Sequence, residues 1–185
     1  MIRKNRFPFY HQVDSKDCGP TCIKIIAKSY GKLLDSHRIR ELAETLKQGS
    51  SFLGLINALE ELGFKSMALK IDVDKLSLAP LPCILHWNGD HYVVLYKIKK
   101  GNKFFISDPA HGLLEYNFNE FIEGFCFTGS NNAPNEGYCI IVEPTAKFYT
   151  NEVKKQSSLS LSFLLKYLVK YRKYIFQLQN PEYML

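Results

Sequence analysis

Four side chains of this 185-residue chain have the types and settings needed for covalent chemistry on a carbonyl group: Gln12, Cys18, His91 and Asp108. Cys18 lies in the stretch Gln12-Val13-Asp14-Ser15-Lys16-Asp17-Cys18-Gly19-Pro20-Thr21-Cys22, at the predicted start of a helix. Unpaired backbone N–H groups and the positive end of a helix favour a thiolate, the nucleophilic form of cysteine. Cys22, one turn deeper, lacks that advantage and reads as a packed core thiol. Attack by a thiolate needs a base to form it and an acid to protonate the leaving group, so one histidine must reach Cys18. His91 is the best placed, because it opens a strand directly after Asn88-Gly89-Asp90 while Val93 and Leu95 anchor that strand. His86 is its rival, with a structural hydrogen bond near Trp87 as the plainer role. Asp108 ends a strand and Pro109 turns the chain away, so its carboxylate can orient the neighbouring imidazole. Asp90 is the second choice for that task. The tetrahedral oxyanion needs donors, and the Gln12 side-chain amide with the Cys18 backbone N–H can supply them. Gly19 and Pro20 receive conformational roles only.

The elements that must bring these groups together divide the chain into a helical first third and a strand-rich remainder. Helices are predicted over 18–30, 36–46 and 52–62, from apolar spacing at Cys22, Ile25, Ile26 and Tyr30 in the first, and at Ile39, Leu42, Ala43 and Leu46 in the second. Gly31 and Gly63 suit their ends. Strands are predicted over 65–71, 83–87, 91–98, 103–108 and 137–142, with Asn88-Gly89-Asp90 as a hairpin turn. A polar turn and a 76–82 connection follow the first strand. Residues 117–122 form a short predicted helix, 123–127 extend again, and 130–136 are a surface loop. The fold class is α+β, a helical layer against an antiparallel sheet.

Composition bounds the alternatives. One core suits a hydrophobic content of 46% at this length. Five cysteines, an odd number, lack the density of a disulfide scaffold, and no apolar signal segment precedes Pro8, which points to a reducing, cytoplasmic setting. The net charge of +6 gathers in Lys147, Lys154, Lys155, Lys166, Lys170, Arg172 and Lys173, among aromatic and aliphatic residues. That mixture fits a membrane-facing tail better than a nucleic-acid groove. A domain edge is expected between residues 1–145 and 146–185, the latter a linker and amphipathic segment with a helix over 159–178. No zinc spacing, H-E-x-x-H motif or Walker loop is present, so neither a metal nor a nucleotide is expected in this chain.

The stretch from Gln12 to Cys22, with His86-Trp87-Asn88-Gly89-Asp90-His91-Tyr92-Val93-Val94-Leu95 and Ser107-Asp108-Pro109, resembles the peptidase C39 family. Members are papain-like cysteine peptidases, commonly the amino-terminal domains of bacterial ABC exporters that process bacteriocins or related peptides. The resemblance spans about residues 7–145 and retains all four functional positions, though Pro20-Thr21 replaces the usual small residues. It implies that Cys18 attacks, His91 exchanges the proton, Asp108 orients it and Gln12 assists the oxyanion. It further implies cleavage of a precursor's leader after a double-glycine motif. The implied partners are that leader and the transmembrane and ATPase domains of the same exporter, with homodimerisation only in the full transporter. ATP and Mg would belong to a nucleotide-binding domain outside this chain. The expected location is the cytoplasmic face of the bacterial inner or plasma membrane, with the isolated domain soluble and expected to be a piece of a longer exporter. Gly54, Leu55, Ala58 and Leu62 have the spacing of a leader-docking groove or of a core helix, and the core is favoured. Alternatives of other kinds are an inactive leader-binding or regulatory domain, a thiol-dependent acyltransferase and a purely structural domain.

Overall fold

Period-two burial in two neighbouring strands sets the architecture. In the computed structural model, which describes residues 6–43, 49–126 and 136–150, β2 (Cys83–Trp87) and β3 (His91–Lys99) pair antiparallel from Cys83 opposite Leu95 to Trp87 opposite His91. Ile84, Tyr92 and Val94 face one hydrophobic cluster, while Cys83, Leu85, Trp87, Val93 and Leu95 face another. Both faces are therefore covered, and these strands read as nearly continuous apolar runs. The full sheet has the order β1-β6-β2-β3-β4-β5, antiparallel throughout, with β1 Phe64–Asp72, β4 Lys103–Asp108, β5 Gly112–Tyr116 and β6 Glu136–Pro144.

Helices α1 (Cys18–Ser29), α2 (Ser36–Leu42) and α3 (Phe52–Glu61) cover the first face. Asp35 caps α2 and Ser51 caps α3 through side-chain acceptance of backbone N–H groups. Leu55 and Ala58 are fully buried beside Gly54 and Leu62, so that stripe belongs to the core, as favoured from spacing. Residues 44–46, the end of the predicted second helix, lie outside the described residues. A four-residue helix α4 (Val73–Leu76), capped by Asp72, occupies what the sequence reading treats as a polar turn.

The second face is covered by α5 (Phe118–Phe125), longer than predicted. The sequence reading extends residues 123–127, but 123–125 do not follow it. They instead complete a helix, because Phe118, Phe121, Ile122 and Phe125 fall on one helical face and pack into the second cluster. β5 was not predicted at all: it is an edge strand with half-exposed residues and no apolar alternation. The core also runs past residue 145. α6 (Ala146–Thr150) buries Phe148 against Tyr30 and Phe64, and Thr145 Oγ1 donates to Gly63 O at 2.6 Å. The chain divides into Met1–Val153 and Lys154–Leu185, and the second part, with the predicted tail helix, lies outside the described residues.

Gly124 fixes how α5 meets the hairpin that carries His91. Its carbonyl accepts from Asn88 N–H at 2.8 Å, and a Cβ there would stand 2.1 Å from Cζ2 of Trp87, the chain's one tryptophan. Replacing Gly124 with alanine must displace a buried ring, a change expected to destabilise the fold by about 1–3 kcal/mol. We expect a lowered unfolding midpoint together with altered Trp87 emission in the folded state; an unchanged midpoint and spectrum would contradict this packing.

Candidate active site

The approach to α1 is tightly pinned. Asp14 closes a capping box over the 3-10 turn Ser15–Asp17, which runs directly into α1 with Cys18 as its first residue. The Cys18 thiol is buried to 5% exposure. Gly19 follows, and a Cβ on it would lie 2.8 Å from the Leu55 side chain, so the absent side chain lets α3 approach α1 beside Cys18. Upstream, Gln12 N–H donates to Pro109 O at 3.0 Å and Ser107 Oγ donates to Pro8 O at 3.1 Å. These bonds lay the amino-terminal segment along the end of β4. Gln12 is thereby placed beside the Asp108–Pro109 turn, with its Oε1 buried and without a hydrogen-bond partner.

The ends of β3 and β4 bring the other two residues together. His91 Nε2 donates to Asp108 Oδ1 at 2.8 Å, and the ring lies near enough to Cys18 for the two side chains to interact. With Nε2 engaged by the carboxylate, the tautomer leaves Nδ1 for the thiol's proton. Asp108 is 3% exposed. Its Oδ1 also accepts from Ala110 N–H at 2.8 Å and its Oδ2 accepts from His111 Nδ1 at 2.9 Å. Burial alone would push the His91 imidazole down, but the interactions with Asp108 and Cys18 outweigh it and lift the group to about 9. Burial likewise opposes the Asp108 charge, yet the bonds from His91, His111 and Ala110 hold its carboxyl at about 2. The pair is thus built to carry an imidazolium against a carboxylate.

The rivals have other surroundings. His86 packs its ring against Phe52 and Tyr92, and burial lowers its pKa. Asp90 lines a cavity of about 270 Å³ with Ser15, Lys16, Cys18, Gly49, Ser50 and Tyr92, across from the thiol. Cys22 is fully buried, and burial raises its thiol well above the ordinary range, which suits a core residue. His111 as a partner of Asp108 escapes the sequence reading. The available signal is the tight Asp108-Pro109-Ala110-His111 turn, closed by His111 N–H donating to Asp108 O at 3.2 Å. Among the described residues, no group of three or more His, Cys, Asp or Glu is arranged to hold a metal ion, and no helix is long and apolar enough to cross a membrane.

Comparison with known proteins places this geometry in context. The Peptidase C39 family matches residues 6–130. The chain is 34% identical over 112 residues to the probable microcin-H47 secretion/processing ATP-binding protein MchF of Escherichia coli, covering 60% of this chain and 16% of that protein. It is 34% identical over 159 residues to the lactococcin-G-processing and transport ATP-binding protein LagD of Lactococcus lactis subsp. lactis, covering 83% of this chain and 21% of that protein. The match thus spans about a fifth of these relatives' length. A double glycine motif protease from an AMS/PCAT transporter, solved in complex with the leader peptide, superposes with a TM-score of 0.67 at 28% identity over 76% of this chain and 93% of that one. Its fold, like this one, is α+β and papain-like.

The electrostatics give a signed expectation. His91 is raised from 6.5 to about 9 on folding, so its contribution to stability is complete below 6.5 and lost as pH rises through about 9. Asp108 is lowered from 3.8 to about 2, so its contribution is present above 3.8 and lost as pH falls through about 2. Ring titration followed by NMR should place His91 near 9, and Asp108→Asn should drop it toward or below 6.5, since burial then acts with less opposition. A His91 titration unaffected by Asp108→Asn would show that the carboxylate does not set its charge.

Proposed function

The chain belongs to the peptidase C39 family, and from that membership and the site's geometry we propose that it is a cysteine endopeptidase that cleaves the leader of a secreted precursor peptide after a double-glycine motif. The observation that carries the reading is the His91 ring bonded to Asp108 at 2.8 Å while it also interacts with the buried Cys18 side chain at the start of α1. Cys18 gives its proton to His91 and its sulfur attacks the carbonyl carbon. The oxyanion is met by the Cys18 backbone N–H and the Gln12 side-chain amide, whose backbone is anchored beside the Pro109 turn. His91 then protonates the leaving amine as the tetrahedral species collapses to a thioester. Water, deprotonated by the same imidazole, hydrolyses the thioester and restores the thiol. Asp108 keeps the ring oriented and supports its charge throughout.

The double-glycine rule is supported by the solved relative, named as a double glycine motif protease, and by crowding at the nucleophile. Tyr92, Ser50 and the chain around Gly49 stand close to Cys18, which disfavours large side chains next to the cut. The relatives are ATP-binding secretion proteins. We accordingly place this domain at the cytoplasmic face of a membrane, joined through the 151–185 segment to transmembrane and ATPase domains, with ATP and Mg acting there and not in the peptidase step. Dimerisation would follow from the full exporter.

Incubation with a synthetic precursor ending its leader in Gly-Gly tests the proposal, because product masses report both hydrolysis and the cut site. An inactive leader-binding domain would bind and release the peptide whole. Cys18→Ala should abolish turnover while leader binding persists; full activity in a folded, purified variant would sink the assignment. Gln12→Ala should slow single-turnover acylation by up to about 10²–10³-fold, the range for loss of an oxyanion donor, with little change in leader affinity. Normal acylation in that variant would remove Gln12 from the mechanism.

A further inference from the structure

The residue immediately before the nucleophile is a buried carboxylate held by a cation from another helix. Asp17 is 3% exposed, and Arg40 Nε of α2 lies 3.0 Å from its Oδ1 as an ion pair without an aligned hydrogen bond. Asp17 Oδ2 accepts from Asp14 N–H at 3.2 Å. Although Asp17 occupies the N-cap position of α1, its side chain makes no capping bond there. The charge is therefore withdrawn from water on the residue adjacent in the chain to the cysteine that must itself become negative. Left unpaired, such a carboxylate would oppose ionisation of the thiol, since like charges in a poorly solvated site repel strongly.

We propose that Arg40 is a positioning residue of the active site, whose guanidinium neutralises and fixes Asp17 so that Cys18 can ionise against the His91 imidazolium without an uncompensated carboxylate behind it. The proposal rests on Cys18 being the nucleophile. Among the described residues, the other groups around Cys18 are Cys22 one turn along α1, His91 and Tyr92 from β3, Asp108 from the end of β4, and Lys16 and Asp90 of the shared cavity. Asp108 is engaged by His91 and His111, and His91 supplies the cation that faces the thiolate. Asp17 differs from these in being both buried and next to Cys18 in the chain, so its compensation falls to α2.

The test is the pH dependence of Cys18 alkylation by iodoacetamide in the full chain, with the modified cysteine identified by peptide mass. No peptide substrate is involved. A chain that alkylates normally at Cys18 yet cleaves no leader would refute the peptidase reading and leave this inference standing. Arg40→Gln should raise the pH midpoint by about one unit, the scale expected for a nearby charge at a partly solvated site. Arg40→Lys should recover most of that shift, and Asp17→Asn combined with Arg40→Gln should return the midpoint close to that of the parent chain. A folded Arg40→Gln variant with an unchanged midpoint overturns the proposal. So does a double variant that keeps the shift, because the effect would then arise from packing and not charge. Should Arg40→Gln fail to fold, Asp17→Asn alone decides: a lowered midpoint supports the proposal and an unchanged one overturns it.

Discussion

The bond between Asp108 and His91 is the interaction around which the rest of the molecule is arranged, and it works against a real opposing term. An imidazole this far from water should lose its proton, yet the carboxylate 2.8 Å away reverses the preference and raises the group to about 9. That reversal holds only while Asp108 is itself kept ionised in a buried position. Three donors achieve this, namely His91, the Ala110 N–H and His111. The proton that the proposed peptide chemistry would move is thus held between groups supplied by β3, β4 and the turn after it.

The fold serves this arrangement by closing both faces of the central strands while leaving their ends open. Helices α1 to α3 press on one face and α5 on the other, so β2 and β3 cannot shift without opening a packed cluster. The bonds from Gln12 to Pro109 and from Ser107 to Pro8 then tie the segment ahead of Cys18 to the end of β4. Cys18, Gln12 and Asp108, the proposed nucleophile, oxyanion donor and orienting carboxylate, therefore share one anchoring region despite wide separation in sequence. The buried Asp17–Arg40 pair joins α2 to the same region.

The parts of this arrangement that depend on local signals are legible in the chain. Cys18 at a helix start, His91 after an Asn-Gly-Asp turn and Asp108 before Pro109 each occupy positions that short-range rules identify. The helical layer and most strands follow from periodicity. β5 does not, because an edge strand with half-exposed residues has little apolar alternation, and the last turn of α5 is obscured by Glu123 and Gly124 within an aromatic stretch. His111 and Arg40 escape for a different reason. Their significance lies in partners chosen by tertiary geometry, and an exposed histidine or a helix-surface arginine has no distinguishing local pattern.

The most direct test of the central claim is intact-mass analysis of the protein after rapid acid quench during turnover of a Gly-Gly leader precursor. The account predicts a transient adduct equal to the leader fragment less one water, mapped to Cys18 and ending in the glycine carbonyl, with the adduct decaying as free leader appears. Cleavage with no adduct under conditions where acylation outpaces hydrolysis, or an adduct on another residue, would contradict it.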